Sequence, residues 1–306
     1  MRVFVTGGSG FVGGAVVRDL VGAGHQVLGL ARSDASAAVL AAAGATPHRG
    51  SLEDLDSLRA GASGADGVVH TAFDTADLAR FAENGRTERS ALRAIGGVLA
   101  GSGRPLVVTA GFAPVVPEQP GRPVTEDDLP RPAGPFGRDA ELTAAALVED
   151  GVCVSVVRLP CVHGDGDRFT VPRYIDVAVR TGVSAYVGDG GNRWPAVHHA
   201  DAARVYRLAL EAAVPGARHH AVAEEGVPFR DVAEVIGRRL CVPVTSLGAD
   251  EAAAHFGVLA YFAQSDGPAS STLTRQRLGW EPVGPGLLRD IDRPSYYTAP
   301  AAPRPT

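Results

Sequence analysis

Thr6-Gly7-Gly8-Ser9-Gly10-Phe11-Val12-Gly13 is a run whose glycines are spaced to hold a phosphate. It follows the apolar Arg2-Val3-Phe4-Val5, which reads as a buried strand, and precedes an apolar helical stretch at 14–21. In such a unit Gly7 permits the tight turn, Gly10 lets the backbone approach a pyrophosphate, and Gly13 lets the helix pack closely on the strand. The helix N-terminus adds a field that attracts phosphate charge. Gly7, Ser9, Gly10, Phe11 and Val12 are therefore expected to touch the ligand, and that ligand is a nicotinamide dinucleotide. With 38 glycines in 306 residues the triplet alone would be weak; its place between strand and helix is what makes it informative.

Which dinucleotide is expected follows from the end of the second apolar segment, 26–31. NAD-preferring sites place an acidic residue there for the ribose 2′-hydroxyl, whereas this chain has Arg32 and Ser33. A guanidinium pairs with a 2′-phosphate and stacks on adenine, and Ser33 can add a hydrogen bond. A charge-assisted bond contributes about 1.5–3 kcal/mol, so NADPH is the expected cofactor. Asp34 is still able to accept a ribose hydroxyl, so use of NADH stays open.

The elements around these residues alternate. Strand patterns at 26–31, 46–48, 67–70, 105–109 and 152–158 are separated by helical ones at 35–43, 52–60, 78–100 and 140–149. That alternation predicts an α/β fold with a doubly wound parallel sheet. Beyond Pro160 the pattern loosens into helices at 171–180, 200–212, 229–239, 251–263 and 273–278, with short strands at 185–187 and 219–222. The expected division is a dinucleotide domain over 1–165, with 192–222 returning to it, and a smaller α/β lobe from 166–191 and 223–297. The Pro/Ala-rich 298–306 reads as a disordered tail.

Composition narrows the function classes. A net charge of −5 argues against nucleic acid or an anionic membrane as partner. No stretch approaches the ~20 apolar residues of a membrane span, and the first apolar run is not a signal peptide, so a cytoplasmic location is expected. Cys153, Cys161 and Cys241 lack metal-ligand spacing and read as buried reduced thiols, and no metal site emerges. All 29 basic residues are arginine; the chain contains no lysine.

Three separated segments resemble the extended branch of the short-chain dehydrogenase/reductases. They are the glycine run, Arg158-Leu159-Pro160-Cys161-Val162-His163-Gly164-Asp165-Gly166 and Val197-His198-His199-Ala200-Asp201-Ala202-Ala203. The resemblance implies a Rossmann-like fold with a C-terminal substrate lobe. It also implies cofactor contacts at Ser51, Leu52, Thr71, Ala72, Phe73, Thr109, Pro160, Val162 and His163. The family's proton donor is a tyrosine assisted by a lysine four residues later. Here Phe136 and Ala140 occupy those positions, and a lysine-free chain cannot have moved the pair elsewhere. Thr109, His163 and Tyr174 are the remaining candidates for catalysis. Phe112, Phe136, Phe169, Tyr174, Trp194 and Phe262 fall on segments that border the family's substrate cleft. An aromatic cleft suits a flat, mostly apolar ligand, although Arg138, Arg168, Arg173 and Arg193 could bind a phosphate.

The reading that follows is an NADPH-dependent ketoreductase of the atypical extended branch, acting on a polycyclic aromatic ketone of polyketide type. The proton would come from the substrate's own acidic group or from water. The Ala/Gly/Arg-rich composition fits an actinomycete, and the chain is similar to angucyclinone ketoreductases such as that of the simocyclinone pathway, tailoring enzymes of antibiotic biosynthesis. A non-catalytic NADP-binding regulator stays open. A sugar-nucleotide epimerase or dehydratase is disfavoured because it needs the tyrosine. The oligomeric state is not fixed by the sequence.

Overall fold

In a strand covered on both faces alternate side chains enter opposite layers, and the first strand does this. Val3 and Val5 join one apolar core and Phe4 joins the other. The computed structural model describes residues 1–75, 80–112, 115, 117, 119, 121–131 and 138–298. Phe136 and residues 299–306, expected to be a substrate contact and part of a disordered tail, lie outside the described residues.

The strands, in chain order, are β1 (Arg2–Thr6), β2 (Gln26–Ala31), β3 (Thr46–Arg49), β4 (Gly67–His70), β5 (Pro105–Gly111), β6 (Cys153–Leu159), β7 (Cys161–His163), β8 (Ser184–Val187), β9 (Arg193–His198), β10 (Arg218–His220), β11 (Glu224–Pro228) and β12 (Val244–Leu247). The helices are α1 (Phe11–Gly22), α2 (Asp34–Ala42), α3 (Leu55–Ser63), α4 (Phe81–Leu99), α5 (Ala140–Glu149), α6 (Val171–Thr181), α7 (His199–Ala212), α8 (Phe229–Leu240), α9 (Ala249–Phe256), α10 (Ala260–Gln264), α11 (Thr272–Leu278) and α12 (Leu287–Ile291). The main sheet has seven parallel strands in the order β10-β6-β5-β4-β1-β2-β3. Helices α1, α2 and α7 cover one face, and α3, α4 and α5 cover the other. The strand order reverses between β1 and β4, and ligands of open α/β sheets bind beyond the C-terminal strand ends at such a crevice.

The second lobe has its own core, in which α6, α8, α9 and α10 enclose Tyr174, Trp194, Phe229 and Phe256. Two small sheets, β11-β9-β7 and β12-β8, frame it. Helix α7 packs on the main sheet and β10 is its edge strand, while Trp194 and Ala196 of β9 point into the lobe core. Trp280 belongs to the core beneath α7, where its indole N–H donates to Asp201 O at 3.0 Å.

Several boundaries differ from the sequence reading for local reasons. Helix α3 starts at Leu55 rather than 52, because Ser51 Oγ accepts the Glu53 and Asp54 N–H groups in a turn and Asp54 caps the helix through Ser57 N. The single helix expected over 251–263 is interrupted at Gly257, whose φ of +57° takes the chain out of helical geometry. Cys241 is exposed at the left-handed end of α8, not buried.

Behind the C-terminal end of β6, buried Arg158 donates to both oxygens of Glu141, at 2.6 and 2.9 Å, and Arg218 adds a third bond at 2.7 Å. Removing one partner of a buried pair leaves an uncompensated charge, which costs about 3–5 kcal/mol. Glu141→Ala should therefore lower unfolding stability by that amount in a urea titration, with little change in the slope of the transition.

Candidate functional site

The turn after β1 is built by exclusion. Gly7 has φ +74°, and a Cβ there would lie 2.6 Å from Ala72 N; at Gly13 a Cβ would lie 2.1 Å from Gly7 O and 2.5 Å from Thr71 Oγ1. Both positions thus require glycine, for the turn and for the close approach that the spacing predicted. Gly10 differs, being exposed, with nothing nearer to a Cβ than Gly7 O at 3.2 Å. The Gly10 N–H closes the turn on Gly7 O, and α1 begins with no side-chain cap. The first N–H groups of the helix therefore remain to be satisfied from outside the protein. Ser9 is exposed on the same turn, and Phe11 and Val12 are half-buried.

At the end of β2 Arg32 is exposed and makes no hydrogen bond or ion pair among the described residues. Ser33 is the N-cap of α2, its hydroxyl accepting the Ser36 N–H at 3.2 Å. The same hydroxyl donates to Ser36 Oγ at 3.2 Å. Asp34 is paired with Arg49. Ser51 and Leu52 are half-buried past β3, and Thr71, Ala72 and Phe73 follow β4, with Thr71 Oγ1 donating to Thr6 O at 2.8 Å. Pro160 and buried Val162 continue from β6. A turn shaped by Gly7 and Gly13, an open helix end and an unpaired Arg32 fit a dinucleotide phosphate chain.

The three catalytic candidates are buried. Thr109 Oγ1 donates to His70 O at 2.7 Å and shares a 2.8 Å bond with Tyr206 OH, so its hydroxyl is committed inside the sheet. His163 is fully enclosed, its Nδ1 2.9 Å from Asp290 Oδ2, and Tyr296 OH donates to the same carboxylate oxygen at 2.7 Å. Tyr174 donates to Leu259 O at 3.1 Å, and burial pushes its hydroxyl far above the usual tyrosine range. All three groups are thus buried and bonded within the protein. Trp194 likewise belongs to the lobe interior, its indole N–H on Phe262 O, and Phe262 packs against the same core. Of the expected substrate contacts, Phe112 stays half-exposed past β5 against the His220 ring, and Phe169 lies under the Arg173 guanidinium at 4.5 Å.

Two groups were not singled out from the sequence as site chemistry. Burial raises the Asp167 carboxyl to about 6 against the N–H bonds it accepts from Phe169 and Thr170, and its Oδ2 has no partner. It stands one residue past Gly166, which faces Phe11 of the glycine turn. The other is Glu88, 1% exposed, which receives Arg138 Nε at 2.9 Å and Nη2 at 2.6 Å. Burial alone would raise Glu88, but the guanidinium reverses this and holds its carboxyl below the usual range. Arg138 Nη2 also donates to Thr109 O at 3.0 Å, and its Cζ lies 4.1 Å from the centre of the Phe73 ring. The signal for Glu88 is its spacing. It sits on the buried face of α4 with Ala91, Leu92, Ile95 and Leu99, where an acidic residue requires a cationic partner. Among the described residues no cluster of histidine, cysteine and carboxylate could hold a metal, and no helix is long and apolar enough to cross a membrane.

The model of the NAD dependent epimerase/dehydratase family matches residues 3–223. An uncharacterized protein of Schizosaccharomyces pombe is 47% identical over 97% of this chain and all of its own length. A 2-alkyl-3-oxoalkanoate reductase of Stenotrophomonas maltophilia is 32% identical over 71% of this chain and 67% of its own. Among solved structures, a dTDP-glucose 4,6-dehydratase of Streptomyces venezuelae with NAD bound superposes with a TM-score of 0.76 over 97% of each chain at 20% identity, a likeness of fold.

The contrast between two glycines tests the turn. Gly13→Ala should abolish dinucleotide binding in a fluorescence titration and cost at least the ~1–3 kcal/mol typical of overpacking. Gly14→Ala, whose Cβ would meet nothing closer than 3.5 Å, should leave binding intact and stabilise the helix by up to about 1 kcal/mol.

Proposed function

The chain belongs to the NAD-dependent epimerase/dehydratase family, and we propose that it is an NADPH-dependent ketone reductase that works without a side-chain tyrosine acid. The observation that carries this reading is the pairing of an intact dinucleotide turn with a disabled acid–base site. Gly7, Gly10, Gly13 and Arg32 are suited to the cofactor, while Phe136 and Ala140 replace the proton donor and its lysine, and Thr109 is bonded inward. Epimerisation and dehydration of sugars begin by taking a proton from a hydroxyl, and the chain has Phe136 and Ala140 where the resemblance places the tyrosine and lysine that would take it.

A bound reduced nicotinamide supplies the two electrons and one hydrogen to a carbonyl carbon. The residues named above do the rest by placement. The glycine turn and the N-terminus of α1 would hold the phosphates, Arg32 would take the 2′-phosphate, and the 160–163 segment would flank the nicotinamide. Holding the ketone in place is itself a large part of the barrier reduction. The ketone oxygen then takes its proton from water or from an acidic group on the substrate, so the balance closes with an alcohol and the oxidised cofactor. A relative named for reducing 2-alkyl-3-oxoalkanoates supports a ketone that bears a second oxygen function. The half-exposed Phe112 and Phe169 favour an apolar or aromatic body, for which a polyketide-type ketone is one member.

Titration should give NADPH binding at least about tenfold tighter than NADH, the weight of one charge-assisted bond, and Arg32→Ala should shrink the gap. Equal affinities in the parent protein would defeat the NADPH assignment. Tight NADPH binding with no oxidation against any 3-oxo acid or aryl ketone would favour a dinucleotide-binding regulator.

The proton source has a separate test. Tyr174→Phe and Asp167→Asn should each keep kcat within about tenfold of the parent, far from the ~10²–10⁴ loss of a general acid. A loss of that size confined to Asp167→Asn, with NADPH affinity unchanged, would assign the acid to Asp167, whose carboxyl at about 6 stays half protonated near that pH.

A further inference from the structure

We propose that the free edge of Arg138 is a binding site for an anionic substrate oxygen, and that the preferred ketone carries an acidic oxygen on the second carbon from its carbonyl carbon. This rests on the ketone-reductase reading and specifies its substrate. Glu88 accepts from Nε and Nη2, and Thr109 O accepts from Nη2 as well, so one side of the guanidinium is fully used. Nη1 has no acceptor among the described residues, and a fifth of the Arg138 side chain is accessible. Phe73 covers one face of the cation at 4.1 Å and excludes water from it.

The location and the chemistry agree. Thr109 lies near the C-terminal end of β5 and Phe73 follows β4, so Arg138 sits at the strand ends beside the crevice between β1 and β4. It is two residues from Phe136, where the family has its acid. A guanidinium does not release a proton near neutrality, so it cannot replace that acid; it can only donate hydrogen bonds to an oxygen that is already, or is becoming, negative. Its two Nη1 protons can be shared between a carbonyl oxygen and an anionic oxygen whose carbons are separated by one carbon. Two kinds of ketone have that arrangement: a 3-oxo acid, through its carboxylate, and an aryl ketone with an ortho phenol.

The test reads binding as well as turnover. Calorimetric titration of 3-hydroxydodecanoate and its methyl ester into protein saturated with NADP should give the acid at least about tenfold tighter, as for a hydrogen bond to a charged group. Arg138→Ala should abolish that difference, Arg138→Lys should restore part of it, and NADPH affinity should stay within about twofold in both. For Arg138→Ala, guanidinium at about 20 mM should recover turnover of 3-oxododecanoate, a rescue that a role in folding alone would not give. A second arm compares 2-hydroxyacetophenone with its 2-methoxy analogue and tells phenol from carboxylate. Equal binding of acid and ester together with equal turnover of phenol and methyl ether, or a preference that survives Arg138→Ala, would overturn the proposal. If the acid binds through Arg138 but no ketone oxidises NADPH, the anion site stands and the reductase reading falls.

Discussion

Thr6 O receives two bonds from one residue, Thr71 N at 3.1 Å and Thr71 Oγ1 at 2.8 Å, and much of the site depends on that junction. It ties the end of β4 to the end of β1 across the place where the sheet reverses its order. The same Thr71 hydroxyl is what a side chain at Gly13 would strike. The strand ends, the glycine turn and the start of α1 are therefore one packed unit. The geometry of the phosphate cradle cannot drift without breaking a sheet hydrogen bond, and this is how the fold keeps a ligand site rigid at a junction of three elements.

Behind that cradle the chain buries two carboxylates against arginine. Glu88 is held by Arg138, and Glu141 by Arg158 and Arg218. The planar fork of arginine matches a carboxylate with two parallel bonds, which a lysine ammonium does not. Desolvating such a pair is costly, so its net contribution to stability is small, but breaking it is not. The two pairs thus act less as sources of stability than as devices that fix orientation. Glu88 fixes which edge of Arg138 lacks an acceptor among the described residues, and Glu141 fixes the C-terminal end of β6, from which the 160–163 segment departs.

What was legible in the sequence was what is local. The roles of Gly7 and Gly13 depend on contacts of the backbone with itself, and the six alternating strands of the main sheet depend on apolar runs. The burial of Tyr174 and Trp194 was not legible, because a tyrosine on the apolar face of α6 has the same spacing whether that face meets a cleft or the interior of the lobe. The short strands β7, β9, β11 and β12 escaped for a related reason. Three to six residues carry too little periodicity to stand apart from loop, and tertiary pairing makes them strands. His163 showed a residue type without its setting, since its partner Asp290 lies 127 positions away. Glu88 was the exception, a long-range pairing that left a local mark as an acidic residue on an apolar helix face.

Loss of the tyrosine and lysine need not mean loss of chemistry, because reactions within this fold place unequal demands on acid–base groups. A reaction that must first remove a proton from an alcohol needs a base at the substrate oxygen, and neither arginine nor phenylalanine can act as one. Reduction of a ketone generates the base on the substrate, as the oxygen gains charge, and asks of the protein mainly that the charge be accommodated until a proton arrives. A fixed hydrogen-bond donor does that without changing its own protonation state. On the proposed reading, a site that retains its dinucleotide turn, carries no lysine and leaves Arg138 Nη1 without an acceptor among the described residues is suited to stabilise a substrate oxygen that becomes negative, because a guanidinium donates hydrogen bonds but does not accept a proton.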